Sequence, residues 1–387
     1  LNYNQKIPEF NQRDNWKSLK GFLSSNKKLN FTFFKDAENP YYNQMFYVPV
    51  LNFNIYDGWA PGMRLYNKTL LERPFVYDFS PSYSFKEKAF VGYGKFTYRK
   101  YLSKSGLYVA NYGIGASTSH FNENSRYTSI TPSLSFGFRP EDLLSNKREF
   151  ISFRYVNILR DFDPSLLSLA NDPENPDYSI FNARYVNRNN GILDYNSWFA
   201  DFQLAGNFSK VSFEYEYRKL FENNRQLNLR FFAGKFLSNK TNTDFFSFAL
   251  DRPTDYLFDY GYLGRSEDSG IYSQQIIIAE GGFKSFLDQQ YRFSNNWMAT
   301  VNGSFNLWKW IELYGDAGLV KNTGANEKFV YDSGVRLNLV TDYFELYLPV
   351  YSNNGWEVSQ PNYGEKIRFI ITVSPKTLTG LFTRKWF

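Results

Sequence analysis

VSFEYEYR, Val211 to Arg218, sets Val211, Phe213, Tyr215 and Tyr217 against Ser212, Glu214, Glu216 and Arg218. Side chains in a strand point alternately to its two faces, so this stretch predicts a β-strand with one apolar, aromatic face and one charged face. The same period of two recurs through the chain. Phe90, Gly92, Gly94, Phe96 and Tyr98 alternate with Tyr93, Lys95, Thr97 and Arg99. Ile311, Leu313, Ala317 and Leu319 alternate with Glu312, Tyr314 and Asp316, and Phe344, Leu346, Leu348 and Val350 with Tyr343, Glu345 and Tyr347. Phe202, Leu204 and Phe208 stand against Asp201, Gln203 and Asn207, and EKIRFIITVS (365–374) reads as one more two-faced strand.

Composition agrees with strands. The 387 residues include 40 Phe, 31 Tyr and 8 Trp, aromatics making 20% of the chain, a mixture that favours extended structure. Mean hydropathy is −0.49, and no run approaches the roughly 18 to 20 apolar residues of a membrane-crossing helix. With 44 Lys and Arg against 38 Asp and Glu, the net charge of +6 is scattered and forms no basic stripe, so no nucleic-acid partner is expected. No cysteine is present, which removes disulfides and thiolate metal sites from consideration.

Alternation alone fits a soluble sandwich and, turned inside out, a membrane barrel. Three features favour the barrel. Roughly 14 to 16 strands keep the two-faced pattern, each long enough for the about 9 to 11 residues that a tilted spanning strand needs. Aromatics stand at strand ends, Tyr98, Tyr101, Trp308, Trp310 and Tyr351 among them, where interfacial girdles lie. The polar faces carry both signs of charge: Lys95, Arg99, Arg139, Arg154, Glu214, Glu216, Arg218, Arg230, Glu312, Asp316, Arg336, Glu345 and Arg368. A dry core would not accept that many charges, whereas a wet or self-paired lumen does. The expected fold is therefore all-β, a transmembrane antiparallel up-and-down outer-membrane barrel of about 14 strands (range 12 to 18), its surroundings the lipid bilayer of a Gram-negative outer membrane.

Connections come in two sizes. NFSK (207–210), LWKW (307–310) and VTDY (340–343) read as tight turns, and 160–177 and 238–270 as long loops, so short periplasmic turns at one end and long extracellular loops at the other are expected. The loop 238–270 is a candidate constriction. Residues 29–387 are assigned to the barrel. Residues 1–28, with Trp16, Leu19, Phe22 and Leu23 at rough helical spacing, read as a linker or short helix leading from an upstream domain.

No catalytic, cofactor or metal site is expected within the chain. The sole histidine, His120, lies in STSHFNEN and reads as a solvated loop residue; one histidine builds no two-histidine zinc motif. GYGKF (92–96) and GIGAS (113–117) fall inside alternating stretches, where glycine makes room for an aromatic neighbour or a bend rather than a phosphate. Asp251, Asp255, Asp259, Glu267 and Asp268 lack the fixed spacing of a calcium loop.

Several stretches carry a resemblance: YVPVLNFNIYDGWAPGMRLYNKTLLERPFVYDFSPSYSF (47–85), LNLRFFAGKFLSN (227–239) and LYLPVYSNNGWEVSQPNYGEKIRFIITVSPKTLTGLFTRKWF (346–387). They resemble the C-terminal barrel region of large Gram-negative outer-membrane proteins whose N-terminal half is a gluzincin-type zinc aminopeptidase. No residue here matches that zinc site, so no catalytic residue carries over. The terminal Phe387 resembles the closing aromatic of barrels assembled into the outer membrane. The resemblance implies a membrane anchor and conduit for a periplasmic domain or secretion partner on the N-terminal side. Two other functions stay open: a self-contained transporter or diffusion pore with a mixed-charge lumen, and a surface adhesin or assembly factor that binds through its long loops.

Overall fold

The computed structural model describes residues 6–9, 15 and 27–371, apart from 40, 70, 104–105, 143, 162–176, 192 and 267–268. The helical spacing expected around Trp16 to Leu23 and the terminal aromatic Phe387 lie outside the described residues.

The chain is all-β. Its strands are β1 (Lys28–Phe33), β2 (Tyr42–Asn54), β3 (Gly58–Tyr66), β4 (Phe75–Ser84), β5 (Ala89–Tyr101), β6 (Leu107–Asn122), β7 (Ser125–Phe138), β8 (Lys147–Asp161), β9 (Tyr178–Asn190) and β10 (Asp194–Ala205). Then come β11 (Phe208–Leu220), β12 (Gln226–Asn239), β13 (Phe248–Ala249), β14 (Phe293–Ser294), β15 (Trp297–Trp308), β16 (Ile311–Lys321), β17 (Lys328–Val340), β18 (Phe344–Ser352), β19 (Gly355–Trp356) and β20 (Arg368–Ile371). All but the β13–β14 pair belong to one 18-stranded sheet, in which neighbours in sequence are neighbours in space from β2 to β12 and from β15 to β18.

The ladders are antiparallel with one exception: β1 pairs parallel with β2, Lys28 opposite Tyr42 and Phe33 opposite Tyr47, contrary to a wholly antiparallel expectation. The last strand also starts later than expected: Tyr363–Lys366 forms a helical turn, so Lys366 lies outside the ladder, and among the described residues β20 pairs with β18 over 368–371. Among the described residues no ladder joins β20 to β1 or β2.

At one end of the sheet the connections, such as 67–74, 139–146, 309–310 and 341–343, are no longer than eight residues. The long segments 162–177, 240–296 and 353–367 all leave from the other end. The segregation is one-sided, however: the tight turns 123–124 and 206–207 share the end of the long loops.

The two faces differ as the alternation requires. One face leaves apolar side chains in the open, Phe90 72% exposed, Trp59 59%, Val301 50% and Leu313 47%. The other buries Glu312, Asp316, Arg336, Glu345 and Arg368. Phe208 departs from its expected side: the turn at 206–207 resets the alternation, and its ring is buried on the polar face against Phe246. Both G-x-G stretches lie within strands, and a Cβ on Gly94 would come 2.9 Å from the Phe79 ring, the aromatic packing expected of it.

Candidate functional site

The segment 240–296 lies against the polar face and touches strands from both ends of the sheet. Ile55 N donates to Gly264 O at 2.8 Å beside β2, and Ile276 N donates to Phe369 O at 2.8 Å on β20. Between these extremes it reaches β7, where Phe258 stacks on Tyr127 with ring centres 3.7 Å apart. It reaches β8 through two bonds from Arg154 to Asp259 (2.8 and 2.7 Å), and β9 through Tyr178 Oη to Tyr256 O at 2.6 Å. A segment that touches first and last strands alike requires the sheet to curl around it. The polar face is thus the inner one.

Why this loop packs inward is legible in its chemistry. Phe246, Phe248, Leu250, Tyr256, Phe283 and Leu287 form an apolar cluster with inner-face residues of the wall, including Phe208, Phe232, Phe236, Met298 and Val330. The wall leaves room for it: a Cβ on Gly234 would stand 2.7 Å from the Phe248 ring, so glycine there lets the phenyl approach the strand. Phe258, Arg265 and Glu280 adopt positive φ (51°, 38° and 49°), sparsely populated geometry that persists because surrounding contacts over-determine it.

Polar clamps fix its position. Lys284 Nζ lies 2.6 Å from Asp316 Oδ1, while the main-chain N–H groups of Lys284 and Ser285 donate to Asp332 Oδ2 at 2.9 and 2.6 Å. Lys210 Nζ, buried, donates to Phe246 O at 2.8 Å amid the rings of Phe208, Phe236, Phe248 and Tyr256, all within 5.7 Å. These ring faces are electron-rich and offset part of the cost of desolvating the ammonium. In the loop itself, Asp255 accepts from Asp259 N (2.8 Å) and Tyr260 N (3.2 Å) and pairs with Arg265, yet burial pushes its carboxyl up to about 7. Burial also raises the Glu280 carboxyl, whose oxygen accepts from Ala249 N at 2.6 Å.

The thirteen charged residues singled out from sequence fall into distinct groups. Arg336 bridges Glu312 and Glu345, donating at 3.0 Å to Glu312 Oε2, with Ser304 as a further partner. Arg230 pairs with Glu214 and also donates to Asn302 Oδ1 at 2.8 Å. Arg218 pairs with Asp342 in the turn 341–343 at 2.7 Å and lies 3.8 Å from Glu216. Arg154 and Asp316 hold the loop as above. Arg99 reaches Asn111 (2.9 Å) and Glu72 (2.7 Å) near the short-turn end, and Lys95, earlier on the same strand, is exposed. Arg368 is buried on β20. Arg139 lies beyond the end of β7, donating to Leu102 O, and so sits at the rim instead of on a strand.

Sequence reasoning missed several members. His120 is not a solvated loop residue: it lies in β6, is buried, and its Nδ1 stands 2.5 Å from Asp57 Oδ1. Asp332 shares parity with Arg336 and was open to discovery by alternation. Lys284 sits in a stretch without periodicity and left no such signal. Of the acidic loop residues, Asp251, Asp255 and Asp259 are committed to contacts within the protein, and Glu267 and Asp268 lie outside the described residues. Cavities of about 280 Å³ and about 90 Å³ remain beside the loop, the former bounded by Asp201, Lys210, Asp255 and Glu280, the latter by Arg218, Arg230, Arg336 and Glu345.

No protein-family description and no curated protein sequence matches the chain. Among solved structures it is similar to BamA from Haemophilus ducreyi lacking POTRA domains 1-3, at 12% identity and a TM-score of 0.44, over 84% of this chain and 68% of that one. It is also similar to CdiB from Acinetobacter baumannii, at 11% identity and a TM-score of 0.38, over 78% of this chain and 55% of that one.

Proposed function

We propose that the chain is an outer-membrane β-barrel whose apolar face meets lipid and whose inner space is occluded by segment 240–296, so that it serves as a membrane anchor for a domain or partner on its N-terminal side. One observation carries this reading: the faces are inverted relative to a soluble sheet, with Val301 and Leu313 open to the surroundings while their strand neighbours Asn302 and Glu312 are enclosed. In water such an outer face would aggregate, whereas in hydrocarbon it is satisfied. Both the first long strand, β2, and the last, β20, have their outer chain ends at the short-turn end of the sheet, which in an outer-membrane barrel is periplasmic. The zinc aminopeptidase implied by the sequence resemblance is the partner we put forward for that side.

The test is physical fractionation. The chain should stay with membranes after alkaline and urea washes and should show a heat-dependent shift in gel mobility. Full solubility without detergent overturns the proposal. A conduit is the second reading, favoured by the exposure of Tyr93 and Lys95 on the inner face of β5, where the segment 240–296 leaves the wall open. Conductance in planar bilayers separates the two: silence fits the occluded anchor, and steady large openings fit the conduit.

A further inference from the structure

Arg368 is wholly buried and yet carries no carboxylate partner among the described residues. Its Nη1 donates to the main-chain oxygen of Asp251 at 3.0 Å, and the Phe286 ring lies 4.4 Å from its guanidinium carbon. Asp251 is the nearby acid, but its carboxylate is taken by Arg292 (3.1 Å) and by the Leu287 N–H (3.1 Å). Among the described residues, Nε and Nη2 of Arg368 have no hydrogen-bond partner.

Those two atoms form one edge of the guanidinium. This protein uses the same edge elsewhere. Arg64 gives Nε and Nη2 to the two oxygens of Asp78, and Arg336 gives the same pair to the two oxygens of Glu345. The edge is a fork for a planar or tetrahedral oxyanion, and it is strongest where water is excluded. Leaving a charge of this kind buried without a counter-charge is costly. A second guanidinium is buried close by in the sequence: Arg252, beside Asp251, donates to the carbonyls of Ser273 and Gln275.

We infer that the Nε–Nη2 edge of Arg368 is an oxyanion site, taking two oxygens of a phosphate or carboxylate where β20 meets segment 240–296. The anion neutralises the guanidinium and joins the last strand to the loop. Its source is either a free anion or a lipid phosphate headgroup.

The experiment is refolding of the full chain from urea into a zwitterionic detergent, with inorganic phosphate titrated against chloride at constant ionic strength. Wild type should gain folded yield and show a saturable rise in apparent Tm with phosphate. Arg368→Lys keeps the charge and loses the fork, and should fold without responding to phosphate. Should that variant fail to fold, phosphorus analysis of natively purified wild type decides. Phosphorus released into aqueous extract identifies a free anion, and phosphorus in organic extract retained after exhaustive detergent exchange identifies a lipid headgroup. No phosphate response in wild type and no retained phosphorus overturns the inference.

Discussion

Lys284 Nζ and Asp316 Oδ1 stand 2.6 Å apart, both side chains almost wholly buried, and this pair fixes the 240–296 segment to the wall it lies against. Asp332, directly across from Asp316 in the β16–β17 ladder, receives the adjoining main-chain N–H groups, so two neighbouring strands hold one loop residue from both sides.

Truncating Lys284 to Ala leaves two buried carboxylates facing each other without their cation. Loss of one member of a buried pair costs about 3–5 kcal/mol. The strands have their own ladders, so the expected outcome is release of the loop before the sheet unfolds: faster proteolysis within 240–296 and new conductance in bilayers. An unchanged digestion pattern would show that the apolar cluster alone retains the loop.

Lys210→Met tests the aromatic cage. The substitution keeps the stem and removes the ammonium, leaving Phe246 O without its 2.8 Å donor. An orphaned buried acceptor costs roughly 1–3 kcal/mol. Apparent Tm should fall by a few degrees, and Lys210→Ala should lower it further because packing against four rings is lost as well.

Asp255 makes the loop sensitive to pH. Its carboxyl is raised by burial from 3.8 to about 7, so between these values the folded protein retains a proton that the unfolded chain has released. Stability from this group is therefore fully present below 3.8 and is lost as pH rises through about 7. Melting curves across that window should decline for wild type. Asp255→Asn, which cannot ionise, should flatten the decline.

Val301→Arg probes the lipid-facing assignment. Near the middle of β15, an arginine on a lipid-exposed face costs about 2–4 kcal/mol at the bilayer midplane and far less in micelles. Folding into phospholipid vesicles should suffer while folding in detergent is nearly unchanged. Equal behaviour in the two media would place the side chain in water.

How much of this was legible beforehand depends on the range of the interaction. Strand identity was readable because alternation is local: Phe213 and Tyr215 stay exposed while Glu214 between them pairs inward. The inward loop was only a candidate constriction, since its anchors pair residues far apart in the chain, Arg154 with Asp259 and Asp251 with Arg368. Phe208 and His120 were misplaced for related reasons. A two-residue turn resets parity for Phe208, and the burial of His120 comes from Asp57, 63 positions away.

The amino-acid sequence by itself determined that each strand has an oily face and a charged face, because successive side chains point to opposite sides whatever the strand packs against. Only the tertiary structure decided which face is enclosed and what fills the enclosure. That choice rests on contacts between the sheet's two ends and the 240–296 segment, and no periodicity along the chain encodes such long-range pairing.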